Sequence, residues 1–165
     1  MKLYHLVFTL VGLMSVGCSD DDGCQDAETD FQFAESSQLI RIDNTELGLF
    51  RYEISEGNKR VFKMDHAGAQ CDDTFDDEWG ERIVFEVDQT VSSFRLEGSD
   101  LIEAQCYYNQ WGAWVNSNPL VITSGLIEGS KLDDNSWSIN LSINLSAQNA
   151  LGSNLVAYSG TYERE

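Results

Sequence analysis

Nine consecutive residues near the C-terminus constrain this chain's fold more than any other feature. Trp137-Ser138-Ile139-Asn140-Leu141-Ser142-Ile143-Asn144-Leu145 alternates apolar and polar side chains without a break. Successive side chains of a strand point to opposite faces, so Trp137, Ile139, Leu141, Ile143 and Leu145 share one face. The serines and asparagines share the other. Wound as a helix, the same residues would scatter their apolar groups around the axis. The segment therefore reads as a half-buried strand, each buried apolar side chain contributing about 1.5–3 kcal/mol. A slip of one residue would exchange both faces, which fixes its register strongly.

Shorter period-two runs fill the rest of the chain, at 38–42, 47–54, 60–64, 82–87, 93–96, 101–108, 120–127 and 155–162. A Glu56-Gly57-Asn58 turn separates the second from the third. No segment carries a 3.6-residue apolar stripe, and the single proline, Pro119, leaves the strands uninterrupted. These runs predict an all-β fold, an antiparallel β-sandwich or barrel of about nine strands, closing in a meander of 120–127, 137–145 and 155–162. A barrel would enclose a ligand cavity of the lipocalin kind, whereas a sandwich would pack its apolar faces together. Both remain open at this level.

The N-terminus has a different character. Lys2 precedes an apolar stretch from Leu3 to Met14, too short to span a bilayer, and Ser15-Val16-Gly17 leads into Cys18. This is a secretory signal with a small-residue cleavage site. It resembles a bacterial lipoprotein signal, with Ser15 standing where that signal usually has an aliphatic residue. The resemblance implies that Cys18 is acylated and becomes the first residue of the mature protein. The following Ser19-Asp20-Asp21-Asp22 resembles the surface-export signal of Bacteroidetes lipoproteins. Near the other end, Tyr158-Ser159-Gly160-Thr161-Tyr162 resembles the closing strand of small lipoproteins from that group. An ordinary secretory signal cut near Gly17 is the other reading, and both take the chain out of the cytoplasm. The expected organisation is a signal peptide (1–17), a lipidated cysteine with an acidic tether (18–35) and one all-β domain (36–165). More than one acyl chain makes a stable anchor.

The chain carries 28 acidic against 10 basic residues, a net charge of −18. Such a charge repels nucleic-acid phosphates and anionic headgroups, so no nucleic-acid partner is expected. The membrane is met through the lipid anchor alone. His66 is the single histidine outside the leader, which removes most of the usual machinery for general-base catalysis and zinc ligation.

With Cys18 acylated, Cys24, Cys71 and Cys106 remain, an odd number in an oxidising compartment. A Cys71–Cys106 disulfide is expected, because both lie within the predicted domain and Cys24 within the tether. Closing Cys24 to Cys71 would give a similar loop-entropy gain, about 4 kcal/mol.

Three constellations bear on chemistry. The acidic run between Cys71 and Glu81 holds Asp72, Asp73, Asp76 and Asp77, oxygen donors of the kind a structural calcium site uses. Its spacing is not that of an EF-hand, and a solvated loop accounts for it equally. In Tyr107-Tyr108-Asn109-Gln110-Trp111-Gly112-Ala113-Trp114, the rings of Tyr107, Tyr108, Trp111 and Trp114 stand among amides. Rings stack on sugar faces while amides bond hydroxyls, so this segment is a candidate glycan platform; core tryptophans would read the same way. Finally, Glu78, Glu103 and several aspartates, Asp76 and Asp77 among them, could supply a glycosidase's acid/base pair, but the chain is so rich in carboxylates that any pair could be named. The expectation is a membrane-anchored envelope or surface lipoprotein with a non-enzymatic domain for a glycan or envelope-protein partner. A purely structural accessory protein is the alternative.

Overall fold

In the computed structural model, which describes residues 23–71, 78–113, 115 and 118–165, the alternating segment is a strand as expected. Its five apolar residues are all buried, while Asn140 and Asn144 lie in solvent. In chain order the elements are β1 (Cys24–Gln25), β2 (Glu28–Asn44), β3 (Leu49–Glu56), β4 (Lys59–Ala67), β5 (Gln70–Cys71), β6 (Trp79–Asp88) and β7 (Ser93–Glu97). After these come α1 (Ser99–Glu103), β8 (Tyr107–Gly112), β9 (Leu120–Val121), β10 (Gly125–Lys131), β11 (Ser136–Asn144) and β12 (Leu155–Arg164). The fold is all-β.

Apart from the small β1–β5 pair, the strands form one ten-stranded sheet, ordered β7-β10-β11-β12-β2-β4-β6-β8-β9 with β3 also on β2. The expected C-terminal meander is β10–β11–β12. One pairing departs from the antiparallel expectation: β12 runs parallel to β2, matching Glu163 with Gln32 and Arg164 with Phe33. There the meander meets the N-terminal strand.

The sheet curls into a half-barrel around Phe62 of β4. That ring lies 5.1–5.7 Å from the rings of Phe33 (β2), Phe85 (β6), Phe94 (β7), Trp137 (β11) and Tyr162 (β12). Five strands thus converge on one side chain, which only strong curvature allows. Toward one end of the half-barrel, Arg60 lies over Trp137 at 4.5 Å and donates to Glu35, Gln89 and Val91. Toward the other, Glu81 sits inside the wall.

β2 serves two layers. A bulge between Ala34 and Ser37, with Ser36 at φ 50°, bends it. Its first half belongs to the half-barrel. Its second half pairs with β3 as a two-stranded ribbon. The ribbon lies on the outer face of β4, β6 and β8, where Leu39, Val61, Val84 and Tyr107 make a second, smaller core.

Four expectations are corrected. The domain starts before residue 36: β1 begins at Cys24, and Phe33 on β2 is 1% exposed. Glu28 and Asp30 are the wet side of a strand whose Phe31 and Phe33 turn inward, so they are not part of a tether. The 101–108 run begins as α1, because Gly98 (φ 58°) turns the chain and both Leu101 and Ala104 face the interior. One turn is too short to display a helical stripe. The 120–127 run divides because β9 pairs with β8 while β10 pairs with β11 and β7, so the chain crosses between walls here. Lastly, the disulfide joins Cys71 to Cys24, not to Cys106. Cys24 and Cys71 are register partners in the β1–β5 pair, whereas Cys106 is a free thiol in the main core.

Candidate functional site

Alternation along β8 sends Tyr108 and Gln110 toward the interior and Tyr107, Asn109 and Trp111 to the outer face. Tyr108 is fully buried in the main core, and its hydroxyl donates to Glu81 at 2.6 Å. Tyr107 is covered by the ribbon: Tyr52 stacks on it at 5.3 Å and Phe50 tilts against it at 5.2 Å. Neither tyrosine can serve a ligand platform, which corrects that part of the expectation. Trp111 is 37% exposed. It lies over Gly80, its cross-strand neighbour, where an added Cβ would come within 2.2 Å of the indole. Trp114, like Asp72, Asp73, Asp76, Asp77 and Cys18, lies outside the described residues.

Where the ribbon ends and Asn109 begins, the outer face opens into a cleft of about 350 Å³, within the usual size for a small-ligand site. Phe50, Arg51 and Tyr52 of β3 form one wall. Arg82 of β6 and Asn109 of β8 form the floor, and Asn118 and Pro119 the other wall. A hollow of about 600 Å³ at the ribbon tip adjoins it, sharing Phe50, Arg51 and Asn118.

Arg82 is held in place within the cleft. Its Nε and Nη2 donate to the two oxygens of Asp65, at 2.5 and 3.0 Å. Its guanidinium stands 5.8 Å from the centre of the Trp111 ring. The bond to Asp65 raises the Arg82 pKa, and the Tyr52 hydroxyl contacts the same group. Burial pushes the Tyr52 hydroxyl up to about 12, so it stays protonated at neutral pH. Rings, amides and a fixed guanidinium together suit a ligand with an apolar face and polar edges.

The interior holds a different cluster. Both oxygens of Glu81, a residue 2% exposed, are occupied: Tyr108 donates to one and Tyr158 to the other, each at 2.6 Å. Burial, and then the bond to Glu81, raises the pKa of both tyrosines. His66 is Glu81's register partner on β4 and is hydrogen-bonded to Thr29 at 2.7 Å. This cluster ties β6, β8 and β12 together across the half-barrel, a structural role.

Of the carboxylates named from sequence, Glu78 and Glu103 do not come together, and Asp76 and Asp77 lie outside the described residues. Glu78 precedes the first residue of β6, while Glu103 lies by its far end, where Glu86 N–H donates to Ala104. Eight residues of strand separate those levels by about 27 Å, far beyond a glycosidase pair's span of about 5–10 Å. Burial raises the Cys106 pKa, and so opposes formation of a nucleophilic thiolate there. Sequence reasoning missed Phe50, Tyr52, Arg82 and Asp65 as site residues, because they come from three strands that only the tertiary fold brings together. Comparison with protein-family models, curated proteins and solved structures gave no match.

Proposed function

We propose that this chain is a lipid-anchored protein of a bacterial outer membrane, exposed at the cell surface, whose domain binds a saccharide without cleaving it. The observation that carries the binding reading is the outer-face cleft. Its ring walls suit the apolar face of a sugar, and its amides and guanidinium suit hydroxyls and other oxygens. The leader motif and Cys18 support the anchor. If Cys18 is acylated, only residues 19–23 separate it from β1, a reach of at most about 20 Å. The domain would then stand close above the membrane.

The test is affinity electrophoresis of residues 19–165 through gels containing different polysaccharides, with Trp111→Ala and Asn109→Ala alongside. Retardation by one polysaccharide, lost in variants with unchanged circular dichroism, is the expected result. Uniform migration in every gel overturns the saccharide reading.

An envelope-protein partner is the second reading, favoured by Ile40 and Leu49, apolar side chains exposed on the ribbon's outer face. Retrieval of the same envelope protein by the parent chain, and not by Ile40→Asp, would establish it.

A further inference from the structure

We propose that the saccharide taken by this cleft is acidic, and that its carboxylate is bound by Arg82 with Arg51. The inference rests on the cleft being a saccharide site. It starts from an imbalance: acidic residues outnumber basic ones 28 to 10, yet the two charged residues lining the cleft are both arginines. Each arginine has one carboxylate against it, Asp65 on Arg82 and Glu53 on Arg51, while Asp43 and Glu46 line the adjoining hollow.

Arg82 is held as a receptor group would be. Asp65 takes its Nε and Nη2 edge, and Trp111 lies beside its plane. Those two bonds fix the fork and leave guanidinium hydrogens on Nη1 and Nη2 for other partners, Tyr52 among them. A carboxylate matches two parallel N–H donors, which a neutral hydroxyl cannot do. Arg51 stands at the rim, highly exposed and paired with Glu53 at 3.1 Å. It can swing to a ligand at little cost, since an exposed pair of this kind contributes roughly 0–1 kcal/mol. The ligand class is therefore a uronic-acid saccharide, with the carboxylate on Arg82 and a sugar face toward Phe50 or Tyr52.

The test measures calorimetric binding of uronic-acid oligosaccharides to the full chain in detergent. Each oligosaccharide is paired with its carboxyl-reduced, neutral counterpart. Binding of an acidic member but not its reduced form is the expected result, with affinity falling as salt rises. Arg82→Gln should weaken it roughly tenfold or more. Arg82→Lys, which keeps the charge but loses the fork, should rescue little of it. Arg51→Gln, at an exposed position where folding is not at stake, should cost a smaller factor. Equal binding of acidic and reduced forms overturns the proposal and leaves the saccharide reading standing. Binding confined to sulfated oligosaccharides overturns the carboxylate assignment, and binding of none overturns the saccharide reading as well.

Discussion

A carboxyl group inside a β-core costs free energy unless its oxygens are hydrogen-bonded. Glu81 satisfies this through Tyr108 and Tyr158, which arrive from β8 and β12. Removing one hydroxyl leaves a buried acceptor without its donor, so Tyr158→Phe should destabilise the domain by about 1–3 kcal/mol in urea unfolding. An unchanged midpoint would mean that the hydroxyl contributes nothing at Glu81. From sequence, Glu81 was one carboxylate among 28. Its place on the inner face of β6, level with His66 and Gln110 and diagonal to Tyr108, depends on strand register.

The ribbon formed by β2 and β3 is held on the outer face by a small polar clasp. Leu39 N–H donates to Glu86, and Gln105 Nε2 donates to the Leu39 carbonyl and to Glu86. Gln105 itself accepts from the Tyr107 hydroxyl. It does this from a left-handed backbone, φ 48°, a strain of order 1–3 kcal/mol that the surrounding bonds must outweigh. Gln105→Ala keeps the strain and removes the clasp. Trypsin should then cut at Arg41 and Arg51 on the ribbon well before the half-barrel unfolds, as read by timed proteolysis and mass spectrometry. Cleavage no faster than in the parent would show that ring stacking alone holds the ribbon. Part of this layer was legible. Within the runs assigned period two, Val61-Phe62, Ile83-Val84-Phe85 and Tyr107-Tyr108 break strict alternation, as strands buried on both faces do, a signal that the period-two assignment passed over. Which element covers the second face was not legible, because the bend at Ser36 that brings the ribbon over carries no glycine or proline.

Across the whole domain, tyrosines supply a common pH response. Burial raises the pKa of Tyr107, Tyr108, Tyr158 and Tyr162, and takes Tyr52 to about 12. The folded chain therefore keeps protons that the unfolded chain releases near pH 10. Their contribution to stability is complete below that pH and is lost as the pH rises above it, for Tyr52 between about 10 and 12. Absorbance at 295 nm should show little tyrosinate at pH 10 in the folded protein. The signal should then rise together with the loss of near-ultraviolet circular dichroism. Five independent titrations near pH 10 with the fold intact would contradict the buried positions of these rings.

Local chemistry alone determined the all-β class, the β11 strand and its buried face, and the meander around it, because period-two patterning is a property of neighbouring residues. The same holds for the acidity of the surface. Tertiary structure decided the curl around Phe62, the parallel contact of β12 with β2 and the pairing of Cys71 with Cys24. It also decided that Tyr107 and Tyr108 are packed away while Trp111 stays part-exposed beside Arg82. These outcomes depend on which strands become neighbours, and a pattern with period two says which face of a strand is buried without saying against what. Phe31 and Phe33 show the boundary well: their acidic surroundings read as a tether, and only the fold supplied the strand and the core that receive them.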